Sequence, residues 1–227
     1  MNENGTIYGL TPPSVLAKAM LAHGASAAEA AARLREIFDP GHRQRVDLFR
    51  RRHTISTVGY GTVDPVRSTG ADDNRATVIG WGMLEKEQAH EFRLPIPPSL
   101  NAVRGKRRLT FTLAWFSPIN PQSRAYRCAR LWLSTPSEVL ATNRAEGEWR
   151  SVRNGTLQHE IWEGDQAAVF SEGTDIVIRV NCREDAGKLT EPVRYGLAVS
   201  IEAAVELQLQ IYEQVRQAIA IREQIRP

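Results

Sequence analysis

The residues of this chain that could do chemistry are few and scattered. Five histidines, His23, His42, His53, His90 and His159, stand far apart. No pair has the spacing that sets two ligands on one helical face beside a third donor, so no metal site is expected. Two cysteines, Cys128 and Cys182, exclude a four-thiolate site and allow one bridge at most. A reducing, cytoplasmic compartment is the simpler reading. Cys182 shares strand parity with Ile178 and Val180 and has no histidine near it in sequence, so it reads as a small buried hydrophobe rather than a nucleophile. His159 shares parity with Leu157 and Ile161 and reads as an inward-pointing histidine with satisfied nitrogens. In Asn181-Cys182-Arg183-Glu184-Asp185-Ala186-Gly187 two carboxylates lie in a turn, where a cation or Arg183 would pair with them; a solvated turn is the commoner outcome. Between Arg43 and Arg52 stand five arginines fit to grip phosphate or an acidic partner, but Phe49 alone interleaves an aromatic, and no nucleic-acid partner is expected. There is no glycine-rich phosphate loop and no Gly-x-Ser-x-Gly elbow. The residues assign no catalytic, cofactor-binding or metal-ligating side chain, and no cofactor.

The elements that would position such groups follow from periodicity. The chain has 227 residues, 42% apolar and 24% charged, with 29 Lys and Arg against 26 Asp and Glu, a net charge of +3. That is an ordinary globular balance, too weakly basic to imply nucleic acid. No apolar run reaches the roughly 20 residues of a membrane helix, and Met1 to Pro13 has no signal-peptide character. From Thr11 to Phe38 the apolar spacing is helical, broken at His23-Gly24 and stopped by Asp39-Pro40-Gly41, with Ser26 and Glu29 spaced as a capping box. The stretch from Arg43 to Asp64 reads as a loop or connector.

From about Arg75 the period becomes two. Leu109, Phe111, Leu113 and Trp115 share one strand face, and the same holds for Leu131 with Leu133, Leu157 with Ile161, Ile176 with Ile178 and Val180, and Tyr195 through Ala203. Strands without crossover helices predict a mainly β chain: an antiparallel, jelly-roll-like β-sandwich from about Arg75 to Val205. Helical spacing returns after Glu206, with Tyr212, Val215, Ile219 and Arg222 on one side. The expected division is a helical segment over 1–70, the sandwich over 71–206 and a C-terminal helix over 207–227.

Several stretches in matching order resemble the C-terminal half of a large bacterial subtilisin-like serine peptidase, a member of the subtilase family. Ser14 to Ala25 is similar to a helix on which that family writes Lys-Ala-Leu-Leu, here Lys18-Ala19-Met20-Leu21. Gly59-Tyr60-Gly61-Thr62-Val63-Asp64 resembles the segment closing its α/β domain. Arg75 to Gly82, Arg108 to Asn120, Gly155 to His159, Asn181 to Gly187 and Tyr195 to Glu202 resemble its accessory sandwich. The resemblance implies that Ala19 and Met20 pack against the helix bearing the nucleophile of an upstream catalytic region.

One departure governs what the resemblance implies. Subtilases carry Asp, His and then a Gly-Thr-Ser serine, all ahead of the region matched here. Gly5-Thr6, Gly61-Thr62, Gly155-Thr156 and Gly173-Thr174 are followed by Ile7, Val63, Leu157 and Asp175, none of which offers the hydroxyl. The chain is therefore expected to be the non-catalytic portion of such a peptidase, inactive alone, which supports the catalytic region and recruits a protein or peptide substrate or a partner. An AAA-type ATPase is an implied partner. A free-standing jelly-roll module that binds a glycan or peptide through its loops is the alternative, and an unrecognised enzyme site around His159, Glu160 and Asp185 is a third.

Overall fold

Alternation commits the region after Arg75 to strands whose apolar faces must find one another. In the computed structural model, which describes residues 13–38, 57–100, 106–124, 126–134, 143–146, 155–164, 175–204 and 209–224, they do so in two antiparallel sheets. The strands are β3 (Arg75–Leu84), β4 (Ala89–Pro95), β5 (Arg107–Trp115), β6 (Ala129–Ser134), β7 (Asn143–Glu146), β8 (Leu157–Gly164), β9 (Asp175–Glu184) and β10 (Val193–Ala203). A short ladder of β1 (Ala25–Ser26) and β2 (Thr62–Val63) stands apart. The larger sheet runs β3-β10-β5-β8-β7 and the smaller β4-β9-β6. First beside last, and second beside last but one, is jelly-roll winding. The expected sandwich thus begins at Arg75 and ends at Ala203.

Strand β7 joins the larger sheet beside β8, so β6 has no strand on its outer side among the described residues. Bare edge groups invite foreign strands and cost free energy if buried unpaired. Side chains from the facing sheet and from the loop after β5 meet them instead. The Gln158 Oε1 accepts from the Leu133 N–H at 2.9 Å, the Ser117 Oγ accepts from the Ala129 N–H at 2.9 Å, and the Trp115 indole donates to the Ala129 carbonyl at 3.4 Å.

The core lies between the sheets, where Phe111, Leu113, Trp115, Leu131, Ile178, Val180, Tyr195, Leu197 and Ile201 are buried. Two glycines of β3 shape it: a Cβ on Gly80 would lie 2.8 Å from the Phe92 ring, and one on Gly82 would lie 2.9 Å from the Tyr195 hydroxyl. That hydroxyl hydrogen-bonds His90 Nδ1 at 2.7 Å.

Bounded α-helices among the described residues are α1 (Ser14–His23), α2 (Ala28–Phe38), α3 (Pro65–Thr69) and α4 (Ile211–Gln224), and a 3-10 turn runs over Pro98–Leu100. Ser26 lies two residues before α2, and its Oγ accepts from the Ala28 N–H at 3.3 Å, while Glu29 pairs with Arg33 along the helix at 2.6 Å. Helix α4 covers the open side between β3 and β4 with Ile211, Val215 and Ile219. Tyr212, expected on its buried stripe, is 39% exposed, because that stripe begins one residue earlier; the side chain of Arg222 lies outside the described set. Among the described residues no helix is long and apolar enough to cross a membrane.

Candidate functional site

The larger sheet carries unusually small side chains on the face turned away from the sandwich. Gly196, Ala198 and Ser200 of β10 lie in register with Ala114, Thr112 and Thr110 of β5. Such a surface admits a helix at close range, and α1 lies across it. A Cβ on Gly196 would sit 2.6 Å from the Leu16 Cα. Val15 and Ala19 pack on Ala114 beside Leu157. Ala19 is therefore spent on the sandwich's own sheet and is unavailable to another helix.

Polar groups hold α1 at its middle and at its end. At mid-helix, Lys18 Nζ donates to the Thr156 hydroxyl at 2.7 Å and the Thr156 carbonyl at 3.0 Å, and its charge lies 5.4 Å from the centre of the Phe116 ring. Burial lowers its pKa. At its end, His23 is 3% exposed. Its Nδ1 is 2.9 Å from the Thr112 hydroxyl, which is 2.8 Å from His159 Nδ1. Its Nε2 is 2.5 Å from the Ser200 hydroxyl, which also meets Thr77 Oγ1 at 2.7 Å and Arg75 Nη2 at 3.4 Å. Arg75 continues to the Arg67 carbonyl, and Arg67 pairs with Glu202.

Charge and burial fix the protons in this network. Desolvation, and then the charges of His159, Arg75, Arg67 and Arg108, hold His23 well below its ordinary pKa. Desolvation takes His159 down to about 4, with Arg108 adding to the effect and the Ala25 backbone opposing it. Both rings are neutral at pH 7. The Thr112 hydroxyl bridges the Nδ1 atoms of the two rings, and the Ser200 hydroxyl joins His23 Nε2 to Thr77 Oγ1 while accepting from Arg75 Nη2. Tyr60 seals the end, standing edge-on to His159 at 5.4 Å and donating to the Leu157 carbonyl at 3.1 Å; burial pushes its phenol up to about 12.

A serine hydroxyl bonded to a neutral imidazole is half of an acyl-transfer site. The other half is missing here. The third group is a hydroxyl, which carries no charge to stabilise an imidazolium, and the nearby arginines disfavour one. Ser200 is 2% exposed, so no substrate reaches it. What the arrangement does is fix α1 to the sandwich in one orientation. Sequence parity misses it, because parity selects the apolar set of each strand. The readable signal was the alternate set: small and hydroxyl residues where a solvated strand would carry charges.

No family model matches the chain. No curated protein matches it either. Among solved structures, a chain of the cyanophage Pam1 capsid asymmetric unit is similar at a TM-score of 0.30 and 15% identity, over 58% of this chain and 83% of that chain; a likeness so slight bears on neither fold nor function.

The residues singled out by sequence fall in several places. His159 is buried, as its parity implies, but under α1 and not between the sheets, and its nitrogens are not both satisfied: Nδ1 meets the Thr112 hydroxyl, whereas Nε2 is buried with no hydrogen-bond partner. Its neighbours Gln158 and Glu160 take the inner face, in register with Leu113 and Phe111. Asp185 lies elsewhere, bound to Arg127 through Nε at 2.8 Å and Nη2 at 2.5 Å. The three residues of the enzymatic alternative are thus not brought together. Cys182 and Cys128 are both buried and free, and burial raises the Cys182 thiol to about 11. Gly59 and Gly61 have φ of +61° and +89°, which explains the glycines of that segment. Asp64 caps α3, accepting from the Val66 and Arg67 N–H groups at 2.9 and 3.3 Å. His42, His53 and the cluster from Arg43 to Arg52 lie outside the described residues. Among the described residues no three His, Cys, Asp or Glu side chains gather as metal ligands would.

Proposed function

We propose that this chain is the C-terminal, non-catalytic portion of a subtilisin-like serine peptidase, supporting the catalytic region and recruiting a protein or peptide substrate or a partner, an AAA-type ATPase among them. One observation supports the reading above the others. Helix α1, which bears the Lys18-Ala19-Met20-Leu21 segment, is clamped to the sandwich at Lys18, Gly196 and His23, while Ala17 and Leu21 on its far side are exposed. A helix apolar on both sides is ordinarily covered on both. The catalytic region would be its second cover, received by a rigid platform. Since Ala19 faces the sheet, Leu21 and half-buried Met20 are the residues to meet it.

A fluorophosphonate probe tests the proposal on this chain alone and on the same chain joined to the sequence encoded upstream. No labelling of the first and strong labelling of the second, with peptide cleavage, is expected. Labelling of a serine within these 227 residues would overturn it. Labelling of neither would favour the second reading, a free-standing jelly-roll module that binds a glycan or peptide, for which the outer face of the smaller sheet, uncovered among the described residues, speaks.

A further inference from the structure

Among the described residues the two sheets end in four strand edges, those of β3, β7, β4 and β6, and three of them are guarded. On β6, side chains already bond the Ala129 and Leu133 N–H groups. Strand β4 carries the Glu91–Arg93 ion pair and ends in Pro95. Strand β7 is four residues long and its register shifts against β8. Short length, charge, proline and bulges are how sheet edges are kept from pairing. The fourth edge has none of these: from Ala76 to Leu84, β3 holds no charge and no proline, and its register with β10 is unbroken. Arg75 bonds back to Asp72 through both its N–H and its C=O, whereas the Asn74 carbonyl accepts from the Ala203 N–H. Alternation along an antiparallel strand then turns the N–H and C=O groups of Thr77, Ile79, Trp81 and Met83 away from β10. Among the described residues nothing bonds them. Beside the first half of the strand a cleft of about 360 Å³ separates Ala76, Val78 and Ile79 from Tyr212, Val215 and Ile219 of α4, so the helix leaves this edge open.

We infer that β3 pairs antiparallel with β3 of a second copy of this chain, joining the two larger sheets into one. The register follows from the free groups. With Gly80 of each copy at the two-fold axis, Ile79 stands opposite Trp81 and Thr77 opposite Met83, so all four residues of both copies are bonded. Centring the pair on Ile79 would set Met83 opposite Arg75, whose groups are taken by Asp72. Centring it on Trp81 would set Thr77 opposite Glu85, whose N–H already donates to Gln88. The Gly80 register also places Ile79 against Trp81 twice, and aromatic and β-branched side chains stabilise each other across neighbouring strands. The occupant is a second copy because the free groups complement themselves and apolar side chains meet apolar ones with no charge between them. Each chain has one such edge, so the association closes at two. One strand pair is a small interface of the weak class, so dimers are expected at micromolar protein and above. The test reads mass and distance, not peptidase activity, so this inference and the reading proposed above can fail separately.

Sedimentation velocity of the full chain, from micromolar to near-millimolar protein, should move from the mass of one 25.4 kDa chain towards twice that. Ile79 and Met83 are both exposed, and lysine is a residue that guards natural edges, so I79K and M83K should each raise the dissociation constant about ten-fold or more. Circular dichroism must show each variant folded. I119K, which changes a more exposed apolar residue after β5, should dimerise as the wild type does. With a nitroxide on Met83→Cys, pulsed electron resonance should place the two labels about 20 Å apart, the rise of six strand residues. A chain that stays monomeric throughout, a dimer that survives both lysines, or one that I119K disrupts as readily, would overturn the inference. So would a label separation far from that distance. A monomer whose Thr77 and Ile79 amides gain exchange protection only when an extended apolar peptide is added would also overturn it, and would give the edge to another protein.

Discussion

The two buried histidines beneath α1 make a prediction about acid. His159 has an ordinary pKa of 6.5 and is taken down to about 4 by burial. In the unfolded chain it picks up a proton as pH falls through 6.5; in the folded chain it does not until about 4. Its contribution to stability is therefore whole above 6.5, is lost progressively between 6.5 and 4, and stays lost below. Linkage puts the loss between pH 7.5 and 5 at about 2 kcal/mol from this residue, and His23, shifted in the same direction, adds to it. The carboxylates held low by arginine or lysine, Glu91 and Glu184, titrate below this window and do not confuse it. Urea midpoints measured from pH 7.5 to 5 should fall steeply for the wild type. His159→Gln, less stable at pH 7.5, should show a slope shallower by that same amount. Equal slopes for the two proteins would mean that His159 is solvated, and would refute the buried network.

Other outcomes follow from the same packing. Gly196→Ala should destabilise by about 2 kcal/mol, as overpacked sites do, because its Cβ would meet the Leu16 Cα at 2.6 Å; Gly155→Ala, 3.8 Å from its nearest neighbour, should cost little. Both are read from urea midpoints. Trp115→Ala, removing a fully buried ring that also ties down the β6 edge, should cost about 4 kcal/mol by thermal or chemical melting. Cys182, buried and with a thiol raised to about 11, should react with an aromatic disulfide reagent only once urea unfolds the protein; prompt native labelling would contradict its place in the core.

Sequence alone determined the strands and their pairing sense. In β5, β9 and β10, apolar residues two apart fix which side chains share a face, and the change of period places the sandwich from about Arg75 to about Val205, where the strands run from Arg75 to Ala203. It also determined that Trp115 and Cys182 are inside. The tertiary structure decided which face of a doubly buried strand looks inward. In β8 the apolar set Leu157, His159 and Ile161 takes the outer face, with Leu157 packed on α1, and Gln158 and Glu160 go between the sheets, where Gln158 supplies an acceptor to the N–H of Leu133 in a distant strand. It decided, too, that Ser200, Thr112 and His23 meet, from three segments far apart in the chain. Periodicity is a local property and survives in sequence. The partner that satisfies a buried polar group is chosen by topology, and no spacing along the chain records it.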